Sequence, residues 1–424
     1  MSGHDSRIVV VGNRNLARHV LVHLLNEGWN VVGAVGAAGS AARRQAGFVP
    51  FDETVESHGI ELVETENIND EESRKALANI EPDICICPGW HQIIDPSVLE
   101  IPTNGFLGFH SSDLPRGRGG APINWSIIHG ENEISVCLFR YTPGVDAGEI
   151  VAREAVPAEN RDDVSTVIDR LAVAACDALD SVREEIEDGR VETTPQKDEE
   201  ATYRPRRQPQ DGIVDWNSTT DEIRDWIRAQ TDPYPGAYTF FEDGKLTVWS
   251  VMIPERTEKS DAGEPGTVTG VIPQKGVDVA TSDGTVRLRR VQPEGSPRMW
   301  ADEFARRYDI EDGHAFGKQH APSSWIYTGI RDENGGTDFS DATNLSVGEE
   351  ARVNAVVSTK GTREVEVRAL LDGTELTSEK THIEGEERIQ VSCRPEESGT
   401  HTLAVEFHEG GERIDVRYLK LFVH

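Results

Sequence analysis

The chain has 424 residues, too many for one ordinary hydrophobic core, and its length suggests two to three domains. A hydrophobic share of 37% with a varied composition indicates a folded protein, while the formal charge of −32 is spread along the chain rather than gathered in a tail. A distributed acidic excess repels nucleic acid at ordinary salt, and it fits a protein adapted to high salt, where screening shortens self-repulsion to a few ångströms.

The first segment alternates strand and helix signals. RIVVVGN is a continuous apolar run, expected as a buried parallel strand, and LARHVLVHLLNEG follows with apolar residues at helical spacing and a Gly stop. NVVGAVG and PDICICPGW read as further strands, the second after the helical EESRKALANI. GFLGFH, ISVCLFRY and EIVAREAVP continue the strand series, and DDVSTVIDRLAVAACDALDSVREEIEDG is expected as one long amphipathic helix ending at Gly189. This alternation predicts an α/β fold, an open and mostly parallel Rossmann-like sheet over residues 1–200.

YRPRRQPQDG has the Pro, Gly and charge content of a linker. Beyond it come the helix TTDEIRDWIRAQ and a run of short strands with Gly turns, which predict a small barrel-like domain over residues 204–318. From 325 to 424 apolar and polar residues alternate between turn signals, the pattern of an antiparallel β-sandwich of immunoglobulin-like size. No chemistry is legible in that last domain, whose expected role is packing or binding.

The cysteines (Cys85, Cys87, Cys137, Cys176, Cys393) form no C-x-x-C pair, and no His stands at zinc-finger spacing. Four sit in apolar runs, where thiols pack as small hydrophobes, and an odd count without a framework is expected of a reducing compartment. No secretory signal or membrane-length apolar run is visible, so the expected location is the cytoplasm. No metal site is expected.

The loop after RIVVVG reads NRNLARH and lacks the second and third Gly of a dinucleotide fingerprint. Three other loops follow strands at the sheet's carboxyl ends: PGWHQII, FHSSDLPRGRGG and TPGVDAGEI. The second supplies His110 and the third Asp146. A carboxylate that orients an imidazole makes a competent proton-transfer unit, although the same two residues could simply cap a strand and form a turn.

GFHSSDLPRGRGGAPINWSIIHGE followed by GVDAGEIV resembles the signature of the folate-dependent formyltransferase superfamily. His110, Ser112, Leu114, Pro115, Pro122, Asp146 and Gly148 all fall on its pattern. The resemblance continues through RRQPQDGIVDW and the following domain, and covers about residues 6 to 318. It implies transfer of a formyl group from 10-formyltetrahydrofolate to a primary amine. His110 would take the amine's proton and Asp146 would orient His110. Gln92, Ile93 and Ile94 would flank the pterin, with Pro115, Gly120 and the stretch Thr142, Gly144, Val145 and Asp146 completing the folate pocket; for Ile93 and Ile94 core packing is the competing assignment. Members often pair, so a homodimer is an expectation.

One position departs from the family. Where its members carry an Asn that bonds the formyl oxygen, this chain has Gly108; Asn124 and Ser112 are the nearest replacements in the motif. Asp113 also stands where the family has Leu, and is expected to be a surface substitution. Two stretches, GRGGAPINWSIIHGE and PYPGAYTFFEDGKLTVWS, are similar to the nucleotide-sugar branch, and no basic stripe is evident. The expected acceptor is therefore a nucleotide-linked amino sugar. Initiator Met-tRNA is the alternative, with basic residues of YRPRRQP and RLRR as its support. A formyltetrahydrofolate hydrolase or an inactive folate-binding relative is the third.

Overall fold

Ile8–Val11 (β1) is buried at every residue, as its unbroken apolar sequence requires. Burial of side chains of this size contributes about 1.5–3 kcal/mol each. Gly12 ends the strand because the next helix comes too close for anything larger: a Cβ there would lie 2.2 Å from the Cβ of Ala17. That helix, Asn15–Asn26 (α1), buries Ala17, Val20, Leu21 and Leu24, the i, i+3, i+4, i+7 stripe of an amphipathic helix. The computed structural model describes residues 6–39, 47–90, 92–204, 206–207, 209–241, 244–254, 263–317, 327–332 and 344–423.

Continuing along the chain, β2 is Val31–Ala37, α2 Asp52–His58, β3 Glu61–Thr65, α3 Glu71–Asn79, β4 Ile84–Cys87 and β5 Phe106–His110. Helix α4 is Pro122–Ile128, β6 Glu133–Arg140, β7 Ile150–Pro157 and α5 Val164–Ser181. The seven strands form one sheet in the order β3-β2-β1-β4-β5-β6-β7. The first five are parallel, and β6 and β7 add on antiparallel. The expected mostly parallel sheet is thus present, with its order reversing between β1 and β4; crevices at such points, beyond the strands' carboxyl ends, are where ligands bind in open α/β sheets.

The long helix expected up to Gly189 is instead two pieces. Val182, at φ −123° and ψ 21°, leaves the helical region between α5 and a short turn of helix at Arg183–Glu187. The break lets Ile186 bury and sets the Glu187 carbonyl 3.0 Å from the Ser6 hydroxyl, which ties this end to the start of β1.

Two compact units are present: Met1–Ile123 with Asn132–Thr202, and Asn124–Glu131 with Tyr203–His424. Residues 1–200 are expected from sequence as one domain, whereas 124–131 cluster with the second unit. Side-chain chemistry explains the difference. Asn124 Nδ2 donates to the Ala229 carbonyl at 2.6 Å, and Arg207, from the stretch read as a linker, stacks over Trp125 and Trp226 at 4.9 and 4.3 Å.

In the second unit, Thr220–Arg228 (α6) opens with a capping box between Thr219 and Glu222. Strands Ala237–Phe241 (β8), Gly244–Met252 (β9), Val268–Ile272 (β10), Gly276–Ala280 (β11) and Thr285–Pro293 (β12) pair antiparallel in the order β8-β9-β12-β11-β10, with Met299–Trp300 (β13) also on β12. The carboxyl-terminal region is rich in β structure: six strands share one hydrogen-bonded sheet, built around a long hairpin of Ala351–Leu371 and Thr374–Cys393. Val365, Val367 and Ala369 are buried on alternate positions, as are Leu403, Val405 and Phe407, the period-2 pattern legible in the sequence. Residues 318–326, where the second and third expected domains meet, lie outside the described residues.

All five thiols are free and buried. Burial pushes Cys85 well up and Cys87 and Cys176 up to about 12, and raises Cys137 and, to about 11, Cys393. A reactive thiol must be both exposed and ionised. Iodoacetamide at pH 8 is therefore expected to label none of them in the native protein and all of them after denaturation, counted by mass spectrometry. A second expectation concerns α5, where the Asp163 carboxylate accepts from the Thr166 N–H at 2.9 Å. Asp163→Ala should lower stability by about 1 kcal/mol in urea unfolding, and Asp163→Asn should leave it nearly unchanged.

Candidate active site

The three loops singled out in the sequence all belong to the first unit. Strand β5 is buried throughout and ends on His110, itself 7% exposed and flanked edge-on by Phe139. The imidazole Nε2 donates to the Gly117 carbonyl at 2.7 Å, and Nδ1 faces Asp146 Oδ2 at 3.5 Å. Because a carbonyl only accepts, Nε2 carries the proton in this arrangement, and Nδ1 is the basic nitrogen of the neutral ring.

Asp146 is placed by a loop that doubles back after β6. Gly148 is needed for this turn, since a Cβ there would lie 1.7 Å from the Arg140 carbonyl oxygen. Asp146 itself sits at φ 49°, a left-handed conformation that Asp tolerates better than most residues. Its carboxylate accepts the Gly119 N–H at 2.8 Å. From below, Gln196 Nε2 donates to the carbonyls of Asp146 and Gly148 at 2.8 and 2.6 Å. Gln196 Oε1 is held in turn by Arg118 Nε and Nη2 at 3.1 and 3.0 Å, and Arg118, 1% exposed, pairs with Asp198 at 2.9 Å. Neither Arg118 nor Gln196 was singled out from sequence. Arg118 is embedded in the RGRGG motif, but Gln196 stands far from it in the chain and carries no local signal.

The remaining residues expected around the pterin divide. Ile93 is 82% exposed at the edge of the loop after β4, an apolar side chain free to cover a ligand, whereas Ile94 is buried in the core with Val9, Cys87 and Val98. Gln92 is spent on shaping its own loop: it accepts from the Ile68 N–H and donates to the Glu66 carbonyl, at 3.1 and 2.8 Å. His91 of the same loop lies outside the described residues. Pro115, after a cis peptide, and Gly120 are partly buried, while Thr142, Gly144 and Val145 are exposed along the loop that leads to Asp146. Their backbone is therefore accessible to a ligand in the way the resemblance implies.

At Gly108 the structure supplies what the sequence could not. Asn124 clusters with the second unit, where it donates to the Ala229 carbonyl, and the Ser112 hydroxyl spends its one hydrogen on the Arg116 carbonyl at 2.7 Å. The space is filled by Tyr141. A Cβ at residue 108 would lie 1.7 Å from Tyr141 Cε1 and 2.5 Å from Cζ. Asp113, by contrast, forms an exposed ion pair with Arg153 at 2.7 Å, in keeping with the surface role expected of it.

The first unit is an open α/β sheet bearing a paired imidazole and carboxylate at its carboxyl edge. Residues 6–182 match the family model "Formyl transferase", and residues 206–309 match "Formyl transferase, C-terminal domain". The chain belongs to the folate-dependent formyltransferase family, whose formyl donor is 10-formyltetrahydrofolate. It is 30% identical over 311 residues to the methionyl-tRNA formyltransferase of Caldanaerobacter subterraneus, covering 72% of this chain and 98% of that one. Among solved structures it resembles HypX from Aquifex aeolicus in complex with tetrahydrofolic acid, with a TM-score of 0.52 and 18% identity, over 76% of this chain and 50% of that one. It also resembles WlaRD, a sugar 3N-formyl transferase, with a TM-score of 0.51 and 16% identity, over 70% of this chain and 100% of that one.

Gln196→Glu tests the clamp beneath Asp146. The substitution leaves Arg118 a partner but turns an oxygen toward two carbonyl oxygens. Tetrahydrofolate release should fall at least about tenfold with unchanged circular dichroism, whereas full turnover would show that Asp146 is held without Gln196.

Proposed function

We propose that the protein transfers the formyl group of 10-formyltetrahydrofolate to the primary amine of a nucleotide-linked amino sugar. The observation that carries the transfer step is the His110–Asp146 pair, with His110 buried at the end of β5 and its Nδ1 facing the partly exposed carboxylate at 3.5 Å. The amine nitrogen attacks the formyl carbon, His110 Nδ1 takes the proton that the amine sheds, and the bond from the formyl carbon to the folate's N10 breaks as N10 regains a proton. The products are the formamide and tetrahydrofolate. Ile93 and the exposed backbone of 142–146 would bind the folate, while the Gly117 carbonyl orients the imidazole through Nε2–H and the Asp146 carboxylate stabilises the imidazolium formed when Nδ1 takes the proton.

Charge supports a small acceptor. Residues 1–205, which hold every residue of this site, carry 35 Asp and Glu against 17 Lys and Arg. A polyanionic tRNA approaching them would meet strong repulsion at ordinary salt. Two observations favour the second reading, formylation of Met-tRNA. One is the relationship to a methionyl-tRNA formyltransferase along nearly that protein's whole length. The other is residues 206–309, where 14 Lys and Arg nearly balance 18 Asp and Glu, and where Trp300, 46% exposed, lies beneath the guanidinium groups of Arg290 and Arg289 at 4.7 and 5.5 Å. Exposed aromatics among arginines suit stacked bases.

Tetrahydrofolate release, followed in high salt with a panel of nucleotide-linked amino sugars and with Met-tRNA, separates the two. Release driven by an amino sugar is the expected result; release driven only by Met-tRNA transfers the assignment, and release without any amine makes the protein a hydrolase. His110→Ala should lower turnover by about a hundred- to ten-thousand-fold while folate still binds. Undiminished turnover would remove His110 from its role.

A further inference from the structure

Formyl transfer turns the formyl oxygen into an oxyanion, and such a charge needs a hydrogen-bond donor waiting for it. Around His110 the obvious donors are already engaged: Ser112 with Arg116, the Gly119 N–H with Asp146, and Gln196 with two carbonyls. Tyr141 is different. It leaves the end of β6 with its N–H on the Phe106 carbonyl, and its ring lies across Gly108, on the same face of β5 as His110 two residues on. The ring is fixed by Phe106, stacked at 6.5 Å, and by Phe139 at 5.3 Å. Its edge with Cε1 and Cζ, the carbon that bears the hydroxyl, occupies the volume in which a side chain at 108 would begin.

We propose that the Tyr141 hydroxyl is the catalytic donor to the developing oxyanion, reaching from β6 into the space that Gly108 leaves open. The inference rests on the formyl-transfer reading above. Among the described residues, the Cys87 thiol at the end of β4 lies near the hydroxyl, and a thiol is a weak acceptor. An oxyanion on the substrate is a far stronger acceptor, so the hydroxyl turns to it readily when the charge forms. Burial, then the nearby Cys87 and Asp146, hold the phenol well above its ordinary range, so it stays protonated and able to donate at any working pH. Gly108 and Tyr141 thus form one unit: any side chain at 108 would collide with the ring that supplies the donor.

Tyr141→Phe keeps the ring against Gly108 and removes only the hydroxyl. Its kcat is expected to fall about a hundred- to a thousandfold, with KM for 10-formyltetrahydrofolate within threefold of the parent. Binding provides a readout independent of turnover. The preference for 10-formyl-5,8-dideazafolate, a stable N10-formylated analogue, over 5,8-dideazafolate should fall about tenfold in Tyr141→Phe by calorimetry. Retained kcat together with a retained preference overturns the proposal. If the parent protein formylates no acceptor, the functional reading fails, and the binding preference alone decides Tyr141: its loss in Tyr141→Phe supports the donor, its survival sinks it. Rescue closes the test. Gly108→Asn alone should be inactive, and Gly108→Asn with Tyr141→Ala should exceed Tyr141→Ala by at least tenfold; no gain would show that the two positions do not exchange roles.

Discussion

The site depends on how Asp146 is held. A single carboxylate, in a backbone conformation with positive φ, ties together the end of β5, the loop of Gly117–Gly119 and the turn after β6. Arg118 and Gln196 secure that turn from its buried side, so the position of the acid is fixed through its own main chain rather than by the imidazole it serves. This order of dependence has a physical reason. The 3.5 Å separation from Nδ1 is too long to hold either partner by itself, whereas three hydrogen bonds of 2.6–2.8 Å at Asp146 and Gly148 are well within range. Effective proton transfer requires the base and the carboxylate beside it to be in place before the substrate arrives.

The second constraint is steric. Loss of a side chain at 108 does not leave a hole, because protein interiors are close-packed and a neighbour fills the space. Here the neighbour is Tyr141, an aromatic residue with a polar tip, whose ring edge takes the volume that a Cβ at 108 would need. The exchange crosses from one strand to the next: Gly108 is on β5 and Tyr141 follows β6, joined by the antiparallel register that pairs Leu107 with Arg140. A change at either position alone would therefore be costly, and the two must be understood as a pair.

Much of the fold was legible in the sequence. The buried runs of β1, β4 and β5 and the helical stripe of α1 are local patterns, and local patterns report burial directly. The His110 and Asp146 positions were legible because their motifs are dense and specific. What escaped was set by partners distant in sequence. Residues 124–131 joined the second unit through Asn124 and the stacking of Arg207 on Trp125 and Trp226, which no composition shift marks. Ile93 and Ile94 are adjacent and chemically alike, yet one is exposed and the other buried, since only the path of the loop decides which side chain faces the core.

The sequence by itself determined the α/β sheet, the family and the motifs that carry His110, Asp146 and Gly108, because these are written in contiguous motifs and in hydrophobic periodicity. Only the tertiary structure decided what fills the space at Gly108. Tyr141, Arg118 and Gln196 become part of the site through strand pairing and a doubled-back loop, and the chain's order in sequence does not disclose which residues such contacts will join.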